Sequence, residues 1–396
     1  MTTEVFVVAA KRTPLGRFQG GLKHLSAPQL GAVAVKALLA QVFQESLSLC
    51  CPDELIMGQV LTAGTGQAPA RQTALCAGLP ESVPTFTVGK VCGSGLQSVI
   101  LGAQSILTQE SQIVIAGGQE SMSNAPYLLP QEARTGLRLG HKELTDSLIW
   151  DGLWDPGSNL HMGSCAESCV QEFQLTRQDQ DAYALESYKR ARLSLEKGFF
   201  QQEIVPVPSA LGNFIEVDEE PFVADLTKMS SLRPAFEKNG TITAGNASKI
   251  NDGAAAVLLA SGKAIQNYSL GPPLAQIIAW SRYADSPKRF AVAPIFAIEN
   301  LLKKAHKTVQ DIDLYEINEA FALVPLMIMK ALGIPHEKVN VRGGACALGH
   351  PIGASGARIL TTLLFSLFQL RKKYGLATVC IGGGEALAIL VESLLP

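Results

Sequence analysis

Cys92, His350, Cys380 and Asn318 stand in local sequences suited to chemistry more than to packing. Cys92 follows the strand-like TFTVGKV and opens GSGLQSVILGAQSIL, a glycine-rich turn running into a helical pattern. A sulfur at a helix N-terminus gains from backbone N–H groups and the dipole, which lower a thiol pKa from about 8.5 toward roughly 3.5–7.5. Cys92 therefore reads as a nucleophile, the alternative being a small buried residue beside a tight turn. His350, in GGACALGHPIGASGAR, lies in a loop too rich in glycine to serve packing. It reads as a general base for that thiol, against a histidine merely satisfied by its surroundings. Cys380 ends a β-branched run just ahead of the triplet Gly382, Gly383, Gly384, and is either a proton carrier or a plain strand residue. Asn318, in EINEAFA, ends one strand and begins a helix, so it either caps the helix or holds a water or an oxyanion. Metal binding is poorly served. His161, Cys165 and Cys169 recur on one helix face and point in nearly parallel directions, which cannot close a tetrahedron. The glycine-rich stretches also lack the Lys-Ser/Thr or Gly-x-Gly-x-x-Gly of nucleotide loops.

These residues need strands and helices to hold them. Short β-branched runs alternate with longer helical patterns, which predicts an α/β architecture with mostly parallel strands. The strands expected are Val5–Ala9, Glu54–Met57, Ile113–Ala116, Ala275–Trp280, Leu314–Ile317 and Ala377–Ile381. The helices expected are Ala27–Glu45, Gly95–Thr108, Arg177–Lys197, Pro294–Lys304, Ala320–Leu332 and Gly353–Lys373. An internal repeat organises the whole. SQIVIAGGQES resembles ATVCIGGGEAL, VCGSGLQSV lies on GHPIGASGA, and DELIMGQV lies on DLYEINEA, all at nearly one offset. Gly117 then matches Gly382, Gly95 matches Gly353, and Gly58 matches Asn318, so His350 falls opposite Cys92 across a pseudo-twofold axis. Chance similarity of glycine-rich strings is the alternative. The expected division is an N-terminal half over 1–120 completed by about 249–271, an inserted loop domain over 121–248 covering the site, and a C-terminal half over 272–396. The insertion carries Trp150, Trp154, Pro156, Pro206, Pro208 and Pro221.

The bulk composition excludes several classes. Of 396 residues, 47% are hydrophobic and 17% charged, enough apolar surface for a large core. A net charge of −2 without a long basic run argues against a nucleic-acid or anionic-membrane partner. The longest apolar stretch, Ala320–Met329, is broken by Pro325 and too short to span a bilayer. The first residues lack a leader pattern, the terminal LLP is no peroxisomal address, and eight cysteines without scaffold spacing read as free thiols. The cytoplasm is the expected location.

VCGSGLQSV, EINEAFA, GHPIGASGAR and CIGGGEA together resemble the thiolase family, supported by GGQESMSNAPY, HMGSCAES, LRPAFEKNG and ITAGNASKINDGAAAV. NASKIND and HMG are most similar to the acetyl-CoA acetyltransferase (acetoacetyl-CoA thiolase) subgroup. The resemblance implies a layered αβαβα core of two pseudo-twofold halves, each with a five-stranded mixed sheet, an inserted loop domain, and assembly as a homotetramer or homodimer. It implies acetyl-CoA, acetoacetyl-CoA and CoA as substrates, with no metal or redox cofactor. Cys92 would accept the acyl group, activated by His350, and Cys380 would move the α-proton. Asn318, through a water, and His350 would hold one thioester oxygen; the N–H groups of Cys92 and Gly382 would hold the other. His161, Met162, Phe236, Ala244, Ser248, Lys249 and Phe222 would line the acyl pocket and CoA cleft. Lys249, Arg342, Glu385 and Phe222 depart from the common family pattern. Lys249 could contact a phosphate and Phe222 could stack on adenine. Thiolysis of longer 3-ketoacyl-CoA and a non-catalytic acyl-CoA carrier are the competing functions.

Overall fold

The computed structural model describes residues 4–43 and 51–394. Positions 44–45 of the first expected helix and the last two residues of the terminal LLP lie outside them. Nine strands form the main path: β1 (Val5–Arg12), β2 (Glu54–Gly58), β3 (Thr85–Val88), β4 (Ile113–Ser121), β5 (Asn251–Ser261), β6 (Ala275–Ala284), β7 (Leu314–Ile317), β8 (Tyr374–Ile381) and β9 (Glu385–Ser393). The helices that matter here are α1 (Ala27–Phe43), α2 (Pro69–Ala77), α3 (Ser94–Leu107), α4 (Met162–Val170), α5 (Arg177–Glu196), α6 (Ala293–Lys304), α7 (Leu323–Leu332) and α8 (Ser355–Leu370). The strand order is β7-β8-β9-β6-β1-β5-β4-β2-β3, with Gly16–Arg17 added beside β5.

The expectation of mostly parallel strands is corrected. Among the described strands of the main path, β2 with β3, β2 with β4, and β7 with β8 run parallel. The pairs β1–β5, β5–β4, β1–β6, β6–β9 and β8–β9 are antiparallel. The strands β5 and β9 supply the difference. Their alanine- and leucine-rich runs carry no polar alternation, because both faces are buried, so periodicity does not distinguish them from helix.

The repeat is visible in this topology. β1, β2, β4 and β5 correspond to β6, β7, β8 and β9, with the same neighbours and directions. The counterpart of β3 is reduced to one parallel bridge, Tyr315 to Val339. Alternate side chains of β5 face opposite ways, as a two-residue period requires. Ala256 and Leu258 pack with Leu30, Val35 and Leu38 of α1, whereas Val257 and Leu259 pack with Val99 and Ile100 of α3 and Ile359 and Leu363 of α8. In the second half, Ala388 and Leu390 of β9 turn toward Ile298 of α6 and Met327 of α7. The result is five layers, helix–sheet–helix–sheet–helix, with α3 and α8 in the middle.

Between β4 and β5 lie α4, α5 and short paired strands. Thr176 and Asp179 close a capping box at the start of α5. This segment is tied to β1 by a buried ion cluster. Arg12 donates to Glu203 at 2.6 Å and to both oxygens of Asp218 at 2.7 and 2.9 Å. Asp218 also accepts the Leu15 N–H at 2.7 Å, and Glu203 accepts Thr362 Oγ1 at 3.1 Å. Removing the cation would leave two buried carboxylates without their partner. Arg12→Ala should therefore lower unfolding free energy by about 3–5 kcal/mol, read from the urea midpoint; a loss below about 1 kcal/mol would show that the cluster relaxes.

Candidate active site

The parallel strands β2 and β4 end at the same edge as the turn before α3, and β7 and β8 end beside the loop before α8. Cys92 sits in the tight turn Val91–Gly93 that leads into α3. Val91 holds φ +44°, costly for a β-branched residue, and Ser94 Oγ steadies the turn by accepting the Lys90 N–H at 2.8 Å and donating to the Val91 carbonyl at 2.7 Å. His350 lies five residues before α8. Its backbone N–H is shared between the Lys249 carbonyl at 3.1 Å and Asn251 Oδ1 at 3.2 Å.

The two halves meet at these side chains. His350 Nε2 lies 3.4 Å from Cys92 Sγ and 3.5 Å from Asn318 Nδ2. His350 Nδ1 is 2.5 Å from Ser355 Oγ, whose hydroxyl donates to the Pro351 carbonyl at 2.8 Å. With the Ser355 hydrogen on the Pro351 carbonyl, its oxygen can accept the Nδ1–H, which leaves the Nε2 lone pair facing the thiol. That is the tautomer a general base requires. Gly382 turns its N–H toward the Cys92 sulfur. Cys380 is fully buried at the end of β8, close enough that a charge on Cys92 raises its pKa further. Asn318 Oδ1 is buried with no partner, a free acceptor beside the imidazole.

Burial dominates the electrostatics. It pushes the Cys92 thiol up to about 11 despite the N–H groups of Gly382 and Cys92 itself. Cys92 keeps some exposed surface, but the protein atoms packed around its sulfur displace the water that would solvate a thiolate. The expected dipole-driven depression of the thiol is therefore overturned: desolvation exceeds the helix N-terminus. Burial also raises Cys380 well above the ordinary thiol value and lowers His350 to about 3, with Arg358 adding to the latter. At neutral pH the site is thiol, imidazole and thiol, all uncharged.

The other expected site residues divide. Met162 reaches the centre: a Cβ on Gly382 would lie 3.0 Å from its Sδ. His161 caps α4 by accepting the Gly163 N–H at 3.0 Å and stacks on Phe236 at 4.7 Å, which meets Phe321 edge-on at 5.9 Å. Ala244, Ser248 and Lys249 share the loop whose last carbonyl binds His350. Lys249 Nζ donates to the carbonyls of Ala244 at 2.5 Å and Ala247 at 3.0 Å, which leaves one N–H for any other contact. Phe222 is exposed and lies 5.9 Å from the Arg192 guanidinium, outside this cluster. Among the described residues no three His, Cys, Asp or Glu side chains are grouped to hold a metal ion.

Sequence reasoning missed Ser355, Asn251 and Glu120. Ser355 could have been found from its place in the same motif, the first helical residue after the His350 loop. Glu120 carries its own signal, a carboxylate in the polar end, Gln119–Ser121, of a strand that is buried along its whole length. It accepts the N–H groups of Val60 at 3.0 Å, Leu61 at 3.1 Å and Gly353 at 2.8 Å, and burial raises its pKa to about 7. Glu120 thereby joins the first half to the loop that carries His350.

Two pseudo-equivalent α/β halves that bring a thiol, an imidazole and a second thiol together at their shared end define an acyl-transferring cysteine enzyme of the two-half class. Residues 5–263 match the family model for the thiolase N-terminal domain and residues 271–393 that for the thiolase C-terminal domain. The chain belongs to the thiolase family. An acetyl-CoA acetyltransferase of Pseudomonas aeruginosa is 47% identical over 391 residues, covering 98% of each chain. A thiolase of Ascaris suum crystallised with coenzyme A superposes with a TM-score of 0.93 at 42% identity, over 99% of this chain and 100% of that one. Human mitochondrial 3-ketoacyl-CoA thiolase, also in complex with CoA, superposes at 0.93 and 38% identity, over 99% and 98%.

A thiol pKa raised to about 11 has a direct kinetic signature. Alkylation of Cys92 by iodoacetamide, followed by site-resolved mass spectrometry, should rise about tenfold per pH unit between about pH 7 and 10. A plateau beginning below about pH 8 would instead indicate a preformed thiolate–imidazolium pair.

Proposed function

We propose that this chain is an acetyl-CoA C-acetyltransferase, which reversibly condenses two acetyl-CoA to acetoacetyl-CoA and CoA through an acetyl-cysteine intermediate. The observation that carries this is the 3.4 Å contact of His350 Nε2 with the Cys92 sulfur, beside the Gly382 N–H and the buried Cys380. Full-length similarity to acetyl-CoA acetyltransferases supports it.

Each proton has a place to go. Cys92 gives its proton to His350 Nε2 as its sulfur attacks the acetyl-CoA carbonyl. The C–S bond to CoA then breaks, and the CoA thiolate takes the Cys380 proton and leaves as a thiol. Cys380, now a thiolate held in a site that disfavours it, removes the α-proton of the second acetyl-CoA. The enolate attacks acetyl-Cys92, the Cys92 thiolate departs, and His350 returns its proton. The negative oxygens need fixed donors, each worth about 3 kcal/mol in a dry site. The N–H groups of Cys92 and Gly382 supply one pair, and His350 with a water on Asn318 the other. The scheme uses no metal or redox group, and CoA enters only as part of its substrates.

Met162 against Gly382 narrows the acyl pocket, which favours short chains over long 3-ketoacyl-CoA. His161, Phe236, Ala244 and Ser248 line the approach of the pantetheine arm, Lys249 folds back onto the loop beside it, and Phe222 over Arg192 offers a ring face to adenine. A homodimer or homotetramer fits the open edge strand β3 and the exposed Tyr127, Leu129, Leu137, Leu139 and Trp150. A cytoplasmic setting fits the free cysteines, since the chemistry requires reduced thiols. Among the described residues no helix is long and apolar enough to cross a membrane.

Mixing the enzyme with acetyl-CoA should leave an acetyl group on Cys92; an unmodified Cys92 during turnover defeats the proposal. Cys380→Ser should still acetylate, because a CoA thiolate departs without assistance, while condensation falls by about a hundredfold or more. Equal loss of both half-reactions would contradict the division of labour. Phe222→Ala should raise the KM for CoA thioesters about threefold at unchanged kcat, and an unaltered KM would remove Phe222 from the cleft.

A further inference from the structure

The loop from Ala244 to Lys249 turns two of its carbonyl dipoles onto one charge. The Lys249 ammonium folds back onto its own loop, donating to Ala244 O at 2.5 Å and Ala247 O at 3.0 Å. It lies 5.7 Å from the centre of the Tyr188 ring, whose hydroxyl is buried without a partner. Burial lowers the Lys249 pKa, and Cys346 and Glu220 act against that shift. The loop is fixed at its other side too: Ser248 N–H donates to Ala320 O at 3.0 Å, and Ala322 N–H to Asn246 O at 2.8 Å. Its final carbonyl, that of Lys249, accepts the His350 N–H at 3.1 Å. Carbonyls that converge repel one another unless a cation or donor sits between them.

We propose that Lys249 is a positioning residue: its ammonium is a tethered cation that holds the 244–249 turn closed and so sets the carbonyl that orients His350 toward Cys92. The side chain acts through the loop and touches no reacting atom. This role differs from a phosphate contact in its consequence, because a misplaced base lowers kcat whereas a lost phosphate contact raises KM.

The inference builds on the acetyltransferase proposal for its kinetic arm, so a second arm is independent of it. In Lys249→Ala, alkylation of Cys92 by iodoacetamide at about pH 6, where free thiolate is too scarce to compete with proton removal by neutral His350, should slow about tenfold, because a shift of the base by an ångström or less is costly. Kcat for condensation should fall by a similar factor with little change in KM. Methylammonium, which matches the lost head group, should restore both in a saturable way. Tetramethylammonium, which has no N–H donor, should restore neither at equal ionic strength. Lys249→Met fills the space with its stem, so it should show the same kcat loss without the amine response. Unchanged alkylation in either variant, a rise in KM alone, or a loss in the Ala variant that no amine reverses would overturn the assignment. If Lys249→Ala does not fold, the Met variant decides: wild-type alkylation rejects the proposal and slowed alkylation supports it. A wild-type enzyme that fails to turn over acetyl-CoA would defeat the acetyltransferase proposal alone, since the alkylation arm reads the orientation of His350 directly.

Discussion

The structure depends on a backbone-to-backbone contact between its two central helices. A Cβ on Gly95 of α3 would lie 2.9 Å from the Gly353 carbonyl, and one on Gly356 of α8 would lie 2.4 Å from the Leu96 nitrogen. Gly118 of β4 is under the same restriction, 2.1 Å from Gly353 O. No real side chain tolerates such distances, so the helices approach this closely only because glycine occupies these positions. The contact lies at the N-terminal ends of both helices, where Cys92 and His350 begin their turns. Separating the helices by the thickness of a methyl group would break the 3.4 Å sulfur–nitrogen contact. Catalytic geometry and core packing are thus one constraint.

The same packing removes water, and this decides the protonation states. Both thiols are held neutral above their ordinary range and the imidazole neutral below its own. The charge felt by His350 is that of Arg358, whose buried neighbour Glu316 is pushed up to about 8 by burial. Arg358 and Glu316 are buried 3.7 Å apart, and the Glu316 oxygens lack hydrogen-bond partners. A resting site without ions loses little by admitting an uncharged thioester. Charge then appears only on sulfur and oxygen atoms that fixed N–H groups already face, where a low dielectric makes each donor count for more than in water.

Much of this was legible in the sequence because it is carried by local patterns. Leu314–Ile317 forms a strand over the expected residues, the helix expected at Gly95–Thr108 is shifted by one residue at each end, and that expected at Arg177–Lys197 ends one residue early. The repeat sets His350 opposite Cys92, and the two side chains meet at 3.4 Å. What escaped was nonlocal. β5 and β9 are buried on both faces, and their direction follows from neighbours far away in the chain. The helix expected from Ala320 begins at Leu323, because Asn246 and Ser248 claim the backbone of the residues before it. The sign of the Cys92 shift was misread for the same reason. A helix N-terminus can be seen in sequence, whereas the density of atoms around a sulfur cannot.

The unusual residues show how a site of this kind tolerates change. Glu385 begins β9 next to the glycine triplet, and Lys90 at the turn before Cys92 pairs with it at 2.5 Å. The pair is partly exposed and contributes at most about 1 kcal/mol, but it bridges the two loops that carry the nucleophile and the Gly382 N–H. Arg342 lies with its guanidinium 3.7 Å from the Phe199 ring and donates to Gln369 at 2.8 Å, away from the cysteines. Each departure is therefore answered by a local partner and leaves the central geometry intact. The glycines between α3 and α8 have no such latitude, because a Cβ there would meet backbone atoms that cannot move aside.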